Sequence, residues 1–390
     1  MSEPTLLRVW PPEGDAAPDA PYRVLIGGDV LPVEPLVPGP DGDWGALAAG
    51  LAPLLDRTDA TVANLECPVT ARTAARAKIG GSSFRTPPGA LGLLTALRVR
   101  AVSLANNHVF DYGDDAVADT VALLHEAGIP APGATARLDA PPEIALVRVG
   151  QAARVGVWTA CFDLPETAGR RPVGLEPIRP ARASAAAAAL AEAGATVRIA
   201  LLHLGLEKHD HPEPADADAA RAVAAAGFDV VACCHGHRIQ GFEVREGRAG
   251  SPPAFVFHGL GSLASGCMYG MPEREGLAVV AGLDAAGRLA TVDAVPVFLA
   301  EDGRPLLPCP ERAEAILARV RTLSAAISDG SFRDAFHAES GGGVLRSQVR
   351  DFARAFRRGG LAGVVVKLRQ ARWKHVVRAW NALIRAIGSR

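Results

Sequence analysis

The sequence predicts an α/β protein, a mostly parallel sheet with antiparallel additions, covered by helices. Three observations predict it. Short apolar runs rich in β-branched residues alternate with alanine-rich stretches of helical period. Two tight turns, Gln-Ala and Asp-Ala-Ala-Gly, each join a pair of such runs into a hairpin. Asp, Glu, Asn and His recur where the apolar runs end, the place where open α/β sheets gather ligands.

In chain order, YRVLIGGDV reads as the first strand, and TVANLE and VRAVSLAN as two more. Residues 114–127 read as a helix closed by Gly128. IALVRVG and ARVGVWTACF are β-rich and separated only by the Gln-Ala turn, so they form a hairpin. An alanine-rich helix over 181–193 ends at Gly194 and leads into the strand TVRIALLH. A further helix over 215–226 ends at Gly227 before FDVVACC. PAFVFHG and the hairpin LAVVAGLDAAGRLATVDAVPV complete the series. No internal repeat interrupts it.

The strand ends carry the chemistry. Asp29 follows VLIGG, Glu66 follows TVANL, Asn106, Asn107 and His108 follow AVSLA, His203 follows RIALL, and His235 and His237 follow DVVACC. These side chains are the ligand set of hard-to-borderline divalent cations. Alone, Asp29 could be a turn former, Glu66 a surface charge and His203 a hydrogen-bonded core residue. His235-Gly236-His237 places two imidazoles on one turn straight after a buried strand, which points to a metal site. Asp111 follows His108 by three residues and could face the same pocket or cap the next helix. Glu207 follows His203 by four. His209 and His211 sit on a loop, where solvated histidines are the commoner outcome.

Length and charge bound the function. The chain has 390 residues, 49% of them hydrophobic, enough for one large domain with extensions. No apolar run reaches the length of a membrane span. The first residues, MSEPTLLRVWPPEGDAAPDAP, have neither the basic start nor the apolar stretch of a signal peptide, which predicts a disordered leader and a cytoplasmic protein. The six cysteines form no CxxC pair, consistent with a reducing compartment. The net charge of −1 conceals a split: residues 346–390 hold 12 of the 41 Lys/Arg and one of the 42 acids, a tail at +11 on a body at −12. Within the tail, Trp373, Val376, Val377, Trp380, Leu383, Ile384 and Ile387 recur at three- and four-residue spacing among basic residues. That pattern fits a helix lying on a membrane surface, and equally one packing its stripe on the domain. The absence of a reader motif and the acidic body argue against nucleic acid.

GGDV, NLE, ANNHxxDxG, HxGxE and the HxH turn followed by QGFE stand here in an order and rough spacing that resemble the capsule-synthesis CapA family. That family, also called PGA_cap for polyglutamate capsule, is similar to the calcineurin-like metallophosphoesterases. The resemblance covers about residues 22–300 and implies a four-layer α/β/β/α sandwich of the metallophosphoesterase type, with mixed sheets. It divides the chain into a leader over 1–21, the domain over 22–300, a linker or helical connection over 301–345 and the basic helical tail over 346–390.

It also implies roles. Asp29 and His237 would hold one divalent cation, His203 and His235 a second, Glu66 would bridge them, and Asn107 would be a further ligand. The cation is Mn, Zn, Fe or Mg, as one ion or two. His108 would protonate the leaving group, with Asp111 and Glu207 in the same catalytic set. The implied activity is a metal-dependent hydrolase of a phosphoester or a polyanionic, polyglutamate-type substrate, or else a non-catalytic accessory role in polymer synthesis. The sequence departs from the metallophosphoesterase pattern at Leu31, where that superfamily has a ligand histidine and the CapA branch usually does not, and from the CapA pattern at Leu260-Gly261-Ser262-Leu263, where an asparagine is expected in place of Ser262. Its first residues show no apolar run of the kind expected for the N-terminal membrane span common in this family.

Overall fold

The computed structural model describes residues 4–12, 14–38, 42–76, 82–267 and 270–340. The tail over 346–390, with its expected helix, lies outside them. Two mixed sheets stack face to face. In the first, β2 (Tyr22–Leu31), β3 (Ala60–Leu65) and β4 (Val99–Ser103) run parallel. β12 (Glu275–Leu283) pairs antiparallel with the first half of β2, and β11 (Ser262–Ser265) pairs parallel with its end. β13 (Leu289–Leu299) continues the hairpin from β12, and β1 (Leu7–Trp10) and β14 (Pro305–Leu306) pair with β13. The second sheet has the order β5 (Ile144–Val149), β6 (Ala153–Cys161), β7 (Val197–Leu204), β8 (Val230–His235), β10 (Ala254–Leu260), β9 (Ile239–Arg245). In it β6, β7, β8 and β10 run parallel.

The two-residue alternation of strand side chains builds the layers. Val24, Ile26 and Val62 of the first sheet meet Val155, Ile199, Phe255 and Phe257 of the second in a buried core between the sheets. Leu25, Ala63 and Leu65 face the other way, onto Leu54 of α1 (Ala52–Leu55), Leu93 of α2 (Leu91–Ala96) and Val117 and Leu124 of α3 (Asp114–Glu126). Trp158, Leu202 and Val231 face outward from the second sheet onto Ala186 and Leu190 of α4 (Pro180–Glu192) and Ala220 and Val223 of α5 (Pro214–Ala225). Each fully buried Leu, Val, Ile or Phe contributes roughly 1.5–3 kcal/mol. This is the expected four-layer α/β/β/α sandwich. Gly128, at φ 70°, takes the left-handed conformation that follows α3, as expected of a closing glycine.

Two segments outside 22–300 contribute to the sheets and core. The leader over 1–21 contains β1, which sits on the sheet edge with Leu7 in the core between the sheets and Arg8 paired to Asp293. Its partner lies some 285 residues away, so no local pattern announces it. The segment over 301–345, expected as a linker or helical connection, is largely helical where it is described. It supplies β14 and α6 (Pro310–Asp329), whose Ile316, Leu317 and Val320 join the inter-sheet core, because β9 and the sheet edge leave an apolar end for an amphipathic helix to close. QGFE, quoted above as part of a motif, lies within β9.

Candidate metal centre

The site forms where β2, β3, β4, β7 and β8 end. Asp29 stands near the end of β2, fully buried. It gets there through a close approach of two chains: a Cβ on Gly28 would lie 1.9 Å from the Gly261 carbonyl oxygen. That same carbonyl accepts the Asp29 N–H at 3.3 Å. Glu66 follows β3 and is also fully buried. Beyond β4, Asn106 accepts the His108 and Val109 N–H groups on its Oδ1 and donates to the Leu65 carbonyl, which builds the turn presenting Asn107 and His108. His203 lies in β7, and His235 ends β8. His235 and His237 hold φ of 91° and 53°, a conformation that costs a non-glycine residue of order 1–3 kcal/mol and concentrates at functional sites.

The six expected ligand residues converge. Glu66, His203 and His235 bring ligand atoms within 4.8 Å of one another, and so do Asp29, Glu66 and His237. Glu66 belongs to both groups, as a bridging carboxylate would. His203 Nε2 lies 3.5 Å from Glu66 Oε1 and 2.7 Å from Asn107 Oδ1. His237 Nδ1 lies 3.2 Å from Asp29 Oδ2 without hydrogen-bond alignment, and its Nε2 lies 3.8 Å from Glu66 Oε1. Phe162 covers the imidazoles, stacked on His203 at 6.1 Å and tilted against His235 at 4.7 Å.

The residues fit a divalent cation on their own chemistry. Both Glu66 carboxylate oxygens and the Nδ1 atoms of His235 and His237 are buried without a hydrogen-bond partner. Buried polar atoms are otherwise almost always paired, and an orphaned one costs about 1–3 kcal/mol. Oxygen and imidazole donors gathered on a common point are what such a cation satisfies. The proton affinities agree. Burial and then the Asp29 charge push the Glu66 carboxyl well up. Burial and then the neighbouring histidines push His203 and His235 well down. Burial also presses on His237, but Glu66 and Asp29 outweigh it and raise it to about 10.

His108 and Asp111 form a pair at the edge of this cluster. His108 Nδ1 lies 2.8 Å from Asp111 Oδ2, and the same oxygen accepts the Phe84 N–H at 2.8 Å. The Phe84 ring packs 4.7 Å from the His108 ring. Asp111 therefore does not cap α3, whose N-terminal cap is Gly113. Glu207 is exposed on the loop after β7. It is absent from both ligand groups, although its charge is felt at Glu66 and His237. His209 and His211 turn away: His209 Nδ1 bonds the Glu207 carbonyl, and His211 Nδ1 lies 2.5 Å from Glu339 near the described C-terminal end. Leu31, in the place of an expected ligand, packs with Val33 and Cys67, with Phe84 against them. The sequence reading missed Asn64, which bonds Asp29, His203 and Asn106. The period of two was the available signal, since it sets Asn64 on the same strand face as Glu66.

Residues 23–266 match the family model described as Bacterial capsule synthesis protein PGA_cap. The chain belongs to that family. Over 134 residues this PGA_cap chain is 40% identical to a "Probable polyglutamine synthesis accessory protein" of Mycobacterium tuberculosis, found in strains CDC 1551 / Oshkosh and ATCC 25618 / H37Rv. The match spans 33% of this chain and about a third (34%) of the length of those relatives. Among solved structures it is similar to a 5'-nucleotidase precursor from Thermus thermophilus, at 18% identity and a TM-score of 0.43, covering 78% of this chain and 59% of that one. It is also similar to the calcineurin-like phosphoesterase YfkN from Bacillus subtilis, at 16% identity and a TM-score of 0.42, covering 82% of this chain and 100% of that one.

Proposed function

We propose that this PGA_cap chain is a metal-dependent hydrolase acting on a phosphoester or a polyanionic substrate of the polyglutamate type. One observation carries the proposal: two ligand groups share Glu66, and a histidine held by a buried carboxylate stands beside them. Asp29, Glu66 and His237 would hold one cation, and Glu66, His203 and His235 with Asn107 a second. When bound, such cations supply Lewis acidity toward a substrate oxygen and acidify water. The chain's own residues do the rest. Asp111 occupies His108 Nδ1 and fixes the ring, leaving Nε2 as the nitrogen able to pass a proton to the leaving group. Phe84 and Phe162 keep solvent from the imidazoles on two sides.

A screen of the purified chain against phosphomonoesters, phosphodiesters and polyglutamate, with added Mn²⁺ or Zn²⁺ and metal analysis, tests this reading. Turnover that disappears with chelator is the expected result. Leu31 favours a second reading, an accessory protein in polyglutamate or capsule synthesis, because an apolar packing residue stands where a further ligand is expected. Metal uptake with no turnover in any substrate class would select it. For the tail over 346–390 we propose peripheral attachment to the inner membrane face. The Trp-bearing stripe among basic residues supports it.

A further inference from the structure

The loop between β7 and α5 leans on the metal centre with one side and on the end of the described chain with the other. On the inner side, the Lys208 N–H donates to the Gly236 carbonyl at 3.1 Å, and Gly236 stands between His235 and His237. Arg238, directly after His237, bonds Asp210 Oδ1 at 3.0 Å. The buried Gln240 amide donates to the His209 carbonyl at 2.8 Å. On the outer side, residues 332–340 form a helical run. Glu339 of that run accepts the Asp210 N–H on Oε2 at 3.1 Å, and its Oε1 lies 2.5 Å from His211 Nδ1. The Phe336 ring packs 5.5 Å from the His209 ring.

The helical run is itself anchored. Phe332, 1% exposed, packs with Ala217 of α5 and Ile327 of α6, and Arg333 pairs with Asp218 at 3.0 Å. The loop needs such a support. Lys208 holds a φ of 65°, a left-handed conformation that a side chain disfavours and that persists only where surrounding contacts over-determine it. The same loop carries Glu207, whose charge acts on Glu66 and His237, so its pose bears on the ligands. A lone ion pair at the surface would hold little, and the Glu339 side chain is 31% exposed. Both its oxygens are engaged, however, one of them by a backbone N–H, and such a charge-assisted bond is the stronger kind.

We propose that Glu339 is a positioning residue: through Asp210 and His211, the helical run over 332–340 holds the 207–211 loop against the His235–His237 turn. The inference rests on the metal-centre reading for its consequence but not for its geometry. The test has two arms, run on the full chain as wild type, Glu339→Ala and Glu339→Gln. In the first, amide hydrogen exchange is read at single residues in the metal-free proteins. Without its acceptor in Glu339→Ala, the Asp210 amide should exchange about tenfold faster. The Lys208 amide, bonded to Gly236 on the far side of the loop, should speed up with it. Glu339→Gln keeps an acceptor for the Asp210 N–H and should fall between the other two. In the second arm, the proteins are titrated with Mn²⁺ by calorimetry. Affinity should weaken several-fold in Glu339→Ala, short of the roughly 10–100-fold typical of losing a ligand's direct partner. A Lys208 amide that exchanges at the wild-type rate in Glu339→Ala makes Glu339 a local surface contact and overturns the proposal. Mn²⁺ affinity in Glu339→Ala equal to that of the wild type overturns it too. Wild type that binds no Mn²⁺ overturns the metal-centre reading instead, and Lys208 exchange then decides the role of Glu339.

Discussion

Without a cation, the protein should lose stability as pH rises through the neutral range, and His237 should be the main cause. The sign follows from the direction of the shift. His237 is raised from 6.5 to about 10, so its contribution is complete below 6.5 and is lost as pH climbs toward 10. Glu66, raised well above 4.5 by burial and Asp29, acts in the same direction, losing its contribution as pH rises. His203 and His235 are pushed down. Their contribution is lost only as pH falls below 6.5, outside this window. Each tenfold change in proton affinity is about 1.4 kcal/mol, so the rise of His237 bounds the effect at ~5 kcal/mol. Part of that is the same attraction that acts on Glu66, and counting it once leaves roughly 2–3 kcal/mol. For a domain this large, that is about 5–10 °C in Tm. Thermal melts by circular dichroism from pH 6.5 to 9 in EDTA should fall by that amount. His237→Gln should flatten the slope. Saturating Mn²⁺ should raise the wild-type curve most at the high-pH end, where the ligands are already deprotonated. A Tm that stays level or rises with pH in EDTA, or a His237→Gln slope equal to the wild-type one, would refute the reasoning.

Three further outcomes follow from the same geometry. His108→Ala should lower turnover by about 10²–10⁴-fold while metal content stays near that of the wild type, whereas His235→Ala should lose metal; mass-spectrometric metal analysis beside initial rates separates the two. Gly28→Ala should destabilise by about 1–3 kcal/mol or more, since the added methyl meets the Gly261 carbonyl at 1.9 Å and neither backbone can yield without moving Asp29; a denaturant melt within about 0.5 kcal/mol of wild type would contradict it. The full chain should co-sediment with anionic vesicles more than a chain ending at Leu345 does, less so at high salt and less so after Trp373→Ala and Trp380→Ala; equal sedimentation of the two chains would remove the membrane reading.

Much of this was legible because a parallel strand exposes its polar residue at one place, its carboxyl end. Asp29, Glu66, His203 and His235 each close a β-branched run, and the fold only had to bring the run ends together. What stayed hidden depended on contacts without local signal. Asn64 reads as a polar interruption in TVANLE until β2 is known to lie beside it and β7, in the other sheet, across from it. β1 carries no pattern that predicts a partner at Asp293. Asp111 fits a helix cap by sequence distance, and only the fold shows its carboxylate already engaged by His108 and the Phe84 N–H. α6 has the periodicity of any surface helix; the inter-sheet core it closes is a property of the two stacked sheets.

The substitution at Leu31 gives the two ligand groups different characters. Asp29, Glu66 and His237 make a set of two carboxylates and one imidazole, while Glu66, His203 and His235 make one of two imidazoles and one carboxylate, with the Asn107 amide alongside. The first suits hard, oxygen-seeking cations, and the second suits borderline ones. With Leu31 turned into the Val33–Cys67 cluster, the first set would rest on three side chains among the described residues, which weighs toward the accessory reading. The His108–Asp111 pair weighs the other way, toward the proposed hydrolase, because a purely structural ion would need no proton donor beside it.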